Sequence, residues 1–380
     1  MLGGRLLGIY RLKMNRRSII AALLLTALLP FGVACEKKKP QPSAQPAETA
    51  SPAKAEDINL TGAGATFPFP LYSKWMAQYH ALHPNVQINY QSIGSGGGIR
   101  QITARTVDFG ATDAPMTQEE ASKAPAPLVH IPTTLGAVAV TYNLPEAGKV
   151  LRLDPDVLAD IYLGKITRWN DKRIKSENPE AKLPASDISV VYRSDGSGTT
   201  AVFTDYLAKV SPEFKTTVGS GKSVKWPRGL GAKGNEGITG QVKTTPNTIG
   251  YVELAYARQN KLPTAELKNK AGNYVGPSIE SVTAAAAGVE LPEDLTASIT
   301  DAAGPEAYPI ASYTYLLVYA DSQEPKKGAA LVDFLWWAVH DGQKECAPLD
   351  YAPLPAAVVS KVEAKIKQLK VAGKPALAEP

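Results

Sequence analysis

From residue 58 onward the chain alternates short apolar runs with longer segments whose apolar residues recur every three or four positions. Residues 58–60 and 86–90 alternate as half-buried strands do, and 107–111, 188–192, 248–252 and 313–319 are apolar runs of strand length. Residues 135–143 make a longer strand. Between these, 70–82 sets Leu71, Trp75, Met76, Tyr79 and Leu82 along one helical face, and 98–105, 154–163, 194–210 and 329–340 are predicted as helices. Strand then helix, with turns at the strand ends, predicts an α/β architecture whose sheets are covered on both faces. No segment repeats at a period of roughly 20–50 residues, which excludes solenoids and propellers.

The N-terminal stretch follows another pattern. Residues 1–34 carry Arg5, Arg11, Lys13, Arg16 and Arg17 and no acid; the last of these bases precedes the apolar run 19–29 and then Gly32-Val33-Ala34-Cys35. Base, apolar run and small residues in that order predict an export signal, and a start at Met14 would leave that signal whole. Small residues before a cysteine resemble the lipobox of bacterial lipoproteins, with Gly32 where leucine is usual. The expectation is a signal peptide over 1–34, cleaved before a lipidated Cys35. The alternative, a transmembrane anchor over 18–34, is interrupted by Pro30 and is at the short limit for a span. Residues 35–57, rich in Lys, Pro, Ala, Gln and Ser, predict a flexible tether from the lipid to the folded part. The protein is therefore expected outside the cytoplasm, in the periplasm or on the outer face of the cell envelope, held to the membrane through Cys35.

Charge and composition narrow the field. The 380 residues carry a net charge of +5, and setting aside the five bases of residues 1–34 leaves 36 basic against 36 acidic residues. The remainder is neutral and has no basic stripe interleaved with aromatics, which excludes a nucleic-acid partner. With Cys35 assigned to the lipid, Cys346 stands alone, so no disulfide is predicted and Cys346 reads as a buried structural thiol. No His or Cys spacing suits a metal, and no G-x-S-x-G elbow surrounds any serine. Of the two phosphate-loop lookalikes, Gly219-Ser220-Gly221-Lys222-Ser223 has Thr216 where the first Walker glycine belongs, and reads as a surface turn. Gly229-Leu230-Gly231-Ala232-Lys233-Gly234 satisfies G-x-G-x-x-G, but the preceding Lys225-Trp226-Pro227-Arg228 is no core strand, which argues against a dinucleotide.

Four other turns, rich in Gly, Ser and Thr, each follow a strand and open a helix: 62–68, 93–98, 108–115 and 193–199. Backbone N–H groups and hydroxyls at a helix N-terminus form a seat for an oxyanion, and open α/β sheets bind ligands beyond the carboxyl ends of their strands. Arg193 adds a planar cationic fork, and Asp195 is close enough in sequence to orient it. The alternative for the 193–199 turn alone is an ordinary Ser/Gly loop capping a helix. The four histidines, His80, His83, His130 and His340, all lie outside these turns, so a hydrolase reading finds no base and no catalytic residue is assigned.

Seven ordered blocks carry a resemblance: TGAGATFPFPLYSKW (61–75), YQSIGSGGGIRQI (90–102), TVDFGATDAP (106–115), DIYLGKITRW (160–169), RSDGSGTT (193–200), VKWPRGLGAKGNEGI (224–238) and IGYVELAYA (249–257). From about residue 58 to about 360 the chain resembles the periplasmic phosphate-binding proteins of bacterial phosphate ABC importers. That resemblance implies a two-lobed type II periplasmic-binding-protein fold, with central mixed sheets flanked by helices and a ligand cleft between the lobes. Lobe I would comprise 58–141 and 303–380, lobe II 142–302, with hinges near 137–143 and 308–314. Phosphate would be held by Thr66 (hydroxyl and N–H), Phe67 (N–H), Ser95, Asp113, Arg193, Ser197, Gly198 (N–H) and Thr199, with Asp195 behind Arg193. Gly96 replaces a serine common in the family and Ser194 is a variable position; neither removes a ligand contact. The implied partners are inorganic phosphate and the permease subunits of the importer. The implied protein is a monomer without cofactor or metal.

Asp113 discriminates among ligands. A carboxylate repels an anion unless the anion brings a proton, and then it accepts a short charge-assisted hydrogen bond. Phosphate keeps one or two protons near neutral pH and sulfate keeps none. The alternatives are a binder of another tetrahedral oxyanion, namely sulfate, arsenate or phosphonate, and a secreted phosphatase. Taken alone, Asp113 would read as a helix N-cap.

Overall fold

The computed structural model describes residues 56–377. The export signal, Cys35 and the tether up to residue 55 lie outside the described residues. Eight strands form the central sheet: β1 (Ile58–Gly64), β2 (Val86–Ser92), β3 (Phe109–Thr112), β4 (Leu128–Tyr142), β5 (Ser189–Arg193), β6 (Leu230–Ala232), β7 (Thr248–Glu253) and β8 (Ala311–Tyr319). Their order is β2-β1-β3-β8-β4-β7-β5-β6. The β1, β2 and β3 group is parallel, as is β7, β5 and β6. β8 runs antiparallel to both β3 and β4, and β4 antiparallel to β7. β4 is shared: residues 128–137 pair with β8, and 138–142 pair with β7.

Every residue of β7 is buried, as is β4 from Ile131 onward, so these strands are covered on both faces as predicted. The helices among the connections include α1 (Phe69–Leu82), α2 (Ser95–Thr103), α3 (Gln118–Ser122), α4 (Pro155–Leu163), α5 (Gly198–Val210), α6 (Gly234–Thr244) and α7 (Pro325–Val339). In α1, Leu71, Tyr72, Trp75, Met76 and Tyr79 are buried, but Leu82, which the pattern placed on the same face, is 62% exposed as the last residue of the helix. Trp75 closes its packing with a hydrogen bond from Nε1 to the Gly342 carbonyl at 2.7 Å. Cys346 is a buried free thiol beside Thr134.

Three elements differ from the periodicity. β4 begins at Leu128 rather than 135, because Thr133 and Thr134 are buried with their hydroxyls bonded to the Thr314 and Ala352 carbonyls. α2 begins at Ser95 rather than 98, glycines included. A Cβ on Gly98 would lie 2.5 Å from the Ala63 carbonyl oxygen, so only glycine lets this helix sit against β1. α5 begins at Gly198, which leaves 194–197 as the turn.

Candidate functional site

Four strand ends meet at one place. β1 leads into Thr66 and Phe67, β2 into Ser95 at the first turn of α2, β3 into Asp113, and β5 ends on Arg193 before α5. Thr66, Phe67, Ser95, Asp113, Arg193, Ser197 and Thr199 are each no more than 4% exposed. Direct contacts tie the turns together. Ser95 Oγ accepts from the Gly198 N–H at 3.0 Å and more weakly from the Asp113 N–H at 3.4 Å. The Gly96 N–H donates to the Gly196 carbonyl at 2.9 Å. A Cβ built on Gly198 would sit 2.5 Å from both Asp113 Oδ2 and Ser95 Oγ.

Asp195 grips the Arg193 fork. Nε donates to Asp195 Oδ1 at 2.8 Å and Nη2 to Oδ2 at 2.6 Å, a two-point grip that leaves Nη1 to reach Thr199 Oγ1 at 3.4 Å. Burial pushes the Asp195 carboxyl up, but the bonds and charge of Arg193 and the Gly234 N–H outweigh it, and the group titrates below its ordinary value.

Asn235 is a site residue that sequence reasoning missed. It is fully buried at the start of α6, and its Nδ2 donates to Thr66 Oγ1 at 2.7 Å and Thr199 Oγ1 at 3.3 Å, while its backbone N–H donates to Thr66 Oγ1 at 3.1 Å. The signal was present in the rejected G-x-G-x-x-G stretch. Its Leu230–Ala232 forms a short parallel edge strand beside β5, so 229–235 is a fifth strand–turn–helix unit aimed at the same point.

These bonds set the polarity of the site. Thr66 Oγ1 and Thr199 Oγ1 each receive two N–H donors, so their lone pairs are occupied and their protons remain to be given. Among the described residues, the N–H groups of Thr66 and Phe67 find no acceptor. The Gly198 N–H, which the resemblance assigns to the anion, is instead donated to Ser95 Oγ. Ser197 Oγ accepts from the Thr200 N–H at 3.0 Å, the cap of α5.

Against this array of donors stands Asp113. Its Oδ1 accepts from Thr314 Oγ1 at 2.9 Å, and its carbonyl from Ser312 Oγ at 3.0 Å. Burial pushes its carboxyl up to about 7, against the lowering effect of Thr314, Arg193 and Ser95. Asp113 does not act as the N-cap its sequence context allowed, since the next helix is capped by Thr117. A second carboxyl, Glu253, is fully buried at the end of β7; burial holds it well above the ordinary range, and its Oε1 is without a partner among the described residues. A cavity of about 480 Å³ opens outward from Asp113 and Ser312, between 114–120, 201–205 and 220–223. The histidines are elsewhere: His80 contacts the Val86 carbonyl, His83 follows α1, His130 accepts from the Met116 N–H and His340 faces Glu363. Among the described residues no cluster of His, Cys, Asp and Glu is arranged to hold a metal ion.

Comparison with known proteins gives the family. Residues 41–341 match the model of the PBP superfamily domain. The chain is 48% identical over 312 residues to the phosphate-binding protein PstS of Pasteurella multocida (strain Pm70), covering 81% of this chain and 90% of that protein. It is 46% identical over 327 residues to the phosphate-binding protein PstS of Xylella fastidiosa (strain Temecula1), covering 84% and 89%. Among solved structures, the ancestral soluble variant of the human phosphate binding protein superposes with a TM-score of 0.66 at 20% identity, over 81% of this chain and 93% of that one.

Proposed function

This chain belongs to the family of the PstS phosphate-binding proteins, and on that premise we propose that it captures inorganic phosphate at the site around Arg193 and Asp113 and delivers it to an ABC importer. The observation that carries this reading is the site's asymmetry. The hydroxyl protons of Thr66 and Thr199, two free backbone N–H groups and a guanidinium face one buried carboxylate acceptor. A fully deprotonated tetrahedral anion would leave Asp113 facing a negative oxygen. An anion that keeps a proton gives Asp113 a bond to accept, and a site built around such a bond rejects the isostere lacking it by roughly 10⁴–10⁵-fold.

In this reading Thr66, Phe67, Ser95 and Asp113 belong to lobe I (58–141 and 303–380), and Arg193, Ser197, Gly198 and Thr199 to lobe II (142–302). Asn235 joins the second set and Asp195 orients Arg193. The Gly198 N–H exchanges its bond to Ser95 Oγ for the ligand, and Ser95 gives its own proton. The lobes close over the anion, so contacts absent in the open form hold the closed one. The protein acts by binding alone, as a monomer outside the cytoplasm, tethered by a lipid on Cys35 and docking on the permease subunits. Titration calorimetry of the purified protein with phosphate, arsenate and sulfate tests this. Phosphate and arsenate, both protonated near neutral pH, are expected to bind and sulfate to fail as a competitor. Equal competition by sulfate, or turnover of a chromogenic phosphate ester, would refute it.

A further inference from the structure

The turn at 219–223, set aside above as a phosphate loop, carries a cation with two attachments. The Lys222 carbonyl accepts from the Ser197 N–H at 2.8 Å, which anchors the Arg193–Thr199 turn. Its side chain runs the opposite way, along the cavity that opens from Asp113, and ends on the segment following Asp113. There Nζ donates to the Pro115 carbonyl at 2.9 Å and to Glu120 Oε2 at 2.9 Å. The Lys222 side chain is only 10% exposed and that of Glu120 27%. Glu120 is held ready by a capping box: its Oε2 also accepts from the Thr117 N–H at 2.8 Å, and its own N–H donates to Thr117 Oγ1 at 3.1 Å.

We propose that Lys222 is a positioning residue, a latch that holds the Asp113 segment against the Arg193–Thr199 turn and slows the escape of bound phosphate. This rests on the phosphate reading above and on its lobe division, in which Lys222 and Glu120 lie on opposite lobes. An exposed ion pair contributes little, because water screens it and two long side chains must be ordered. Here the lysine side chain is mostly buried and has two acceptors, and the glutamate is already ordered by its helix cap. A pair that forms only across the shut cleft stabilises the closed state alone, so it acts on opening and thus on dissociation.

The charge of Lys222 has a second possible effect, attraction of the anion through space, and the two effects predict opposite signs at Glu120. Stopped-flow measurement of inorganic phosphate dissociation from wild type, Lys222→Met, Glu120→Gln, the double variant and Lys222→Arg separates them. The latch predicts that Lys222→Met and Glu120→Gln each speed dissociation by about tenfold and the double variant no further, with Lys222→Arg close to wild type. Glutamine keeps the capping box, so the melting temperature of free Glu120→Gln should equal that of wild type. Tighter binding by Glu120→Gln, expected if only the field matters, overturns the latch, and so does unchanged dissociation in both single variants. A wild type that binds no phosphate overturns the phosphate reading and the latch together; one that binds while Glu120→Gln dissociates no faster overturns the latch alone.

Discussion

Replacing Asp113 with asparagine isolates the one acceptor in the site. The new carbonyl can keep the bond from Thr314 that Oδ1 now accepts at 2.9 Å. The oxygen on the side of Gly198 and Ser95 becomes an NH₂ donor. For phosphate, the P–OH group then loses its acceptor in a buried site, at a cost of about 1–3 kcal/mol. For sulfate, a repulsive charge disappears and a donor appears, a gain of similar size. Together these shrink the phosphate-over-sulfate preference by about thirtyfold or more. Competition calorimetry at pH 8, where Asp113 is ionised, measures the ratio directly. A ratio that stays within about threefold of wild type would refute the proton-acceptor role, since the two effects together exceed 1 kcal/mol. The free protein gives an independent check. A carboxyl held near 7 when folded, against its ordinary 3.8, binds its proton more tightly in the folded state. Its favourable contribution is complete below 3.8 and is lost as pH rises through 7, amounting to about 4 kcal/mol. The Asp113→Asn variant should therefore melt higher than wild type at pH 8 and no higher at pH 3.5.

Arg193→Ala should weaken phosphate binding by about 3–5 kcal/mol, because the anion loses its buried countercharge and Asp195 is left unpaired; adding Asp195→Asn should recover part of the loss, read by calorimetry. Gly198→Ala places a methyl group 2.5 Å from Asp113 Oδ2 and Ser95 Oγ, and should weaken phosphate by about 10- to 100-fold; undiminished affinity would mean that α5 can retreat freely. His130 is held down to about 4 by burial, with Lys222 adding to the effect, while its ring accepts from the Met116 N–H at 2.9 Å. Its contribution is present above its ordinary 6.5 and is lost as pH falls through 4, so urea unfolding should show about 3 kcal/mol of acid destabilisation that His130→Gln removes.

The turns were legible because their signals are local: a glycine-rich strand end before a helix carries its N–H groups with it, whatever surrounds it. Arg193 and Asp195 were legible for the same reason, being two residues apart on one turn. Asn235 was not. An asparagine after a glycine is an ordinary turn residue, and it acquires its role only because β6 lies next to β5. The early part of β4 was hidden likewise. Thr133 and Thr134 fit there because β8 supplies the Thr314 carbonyl and the C-terminal region the Ala352 carbonyl as partners for their hydroxyls. Gly96 and Gly97 read as part of the turn before a helix at 98, and it takes the approach of β1 to explain why position 98 of α2 is glycine.

The place of β8 sets an order of assembly. It lies between β3 and β4, which do not pair with each other, yet it is made last of the eight. Until residues 311–319 leave the ribosome, both neighbours keep a bare edge, and contacts so remote in sequence form slowly. A polypeptide whose keystone arrives this late stays threadable through most of its synthesis, and a product cut short before residue 311 would carry two sticky edges and aggregate.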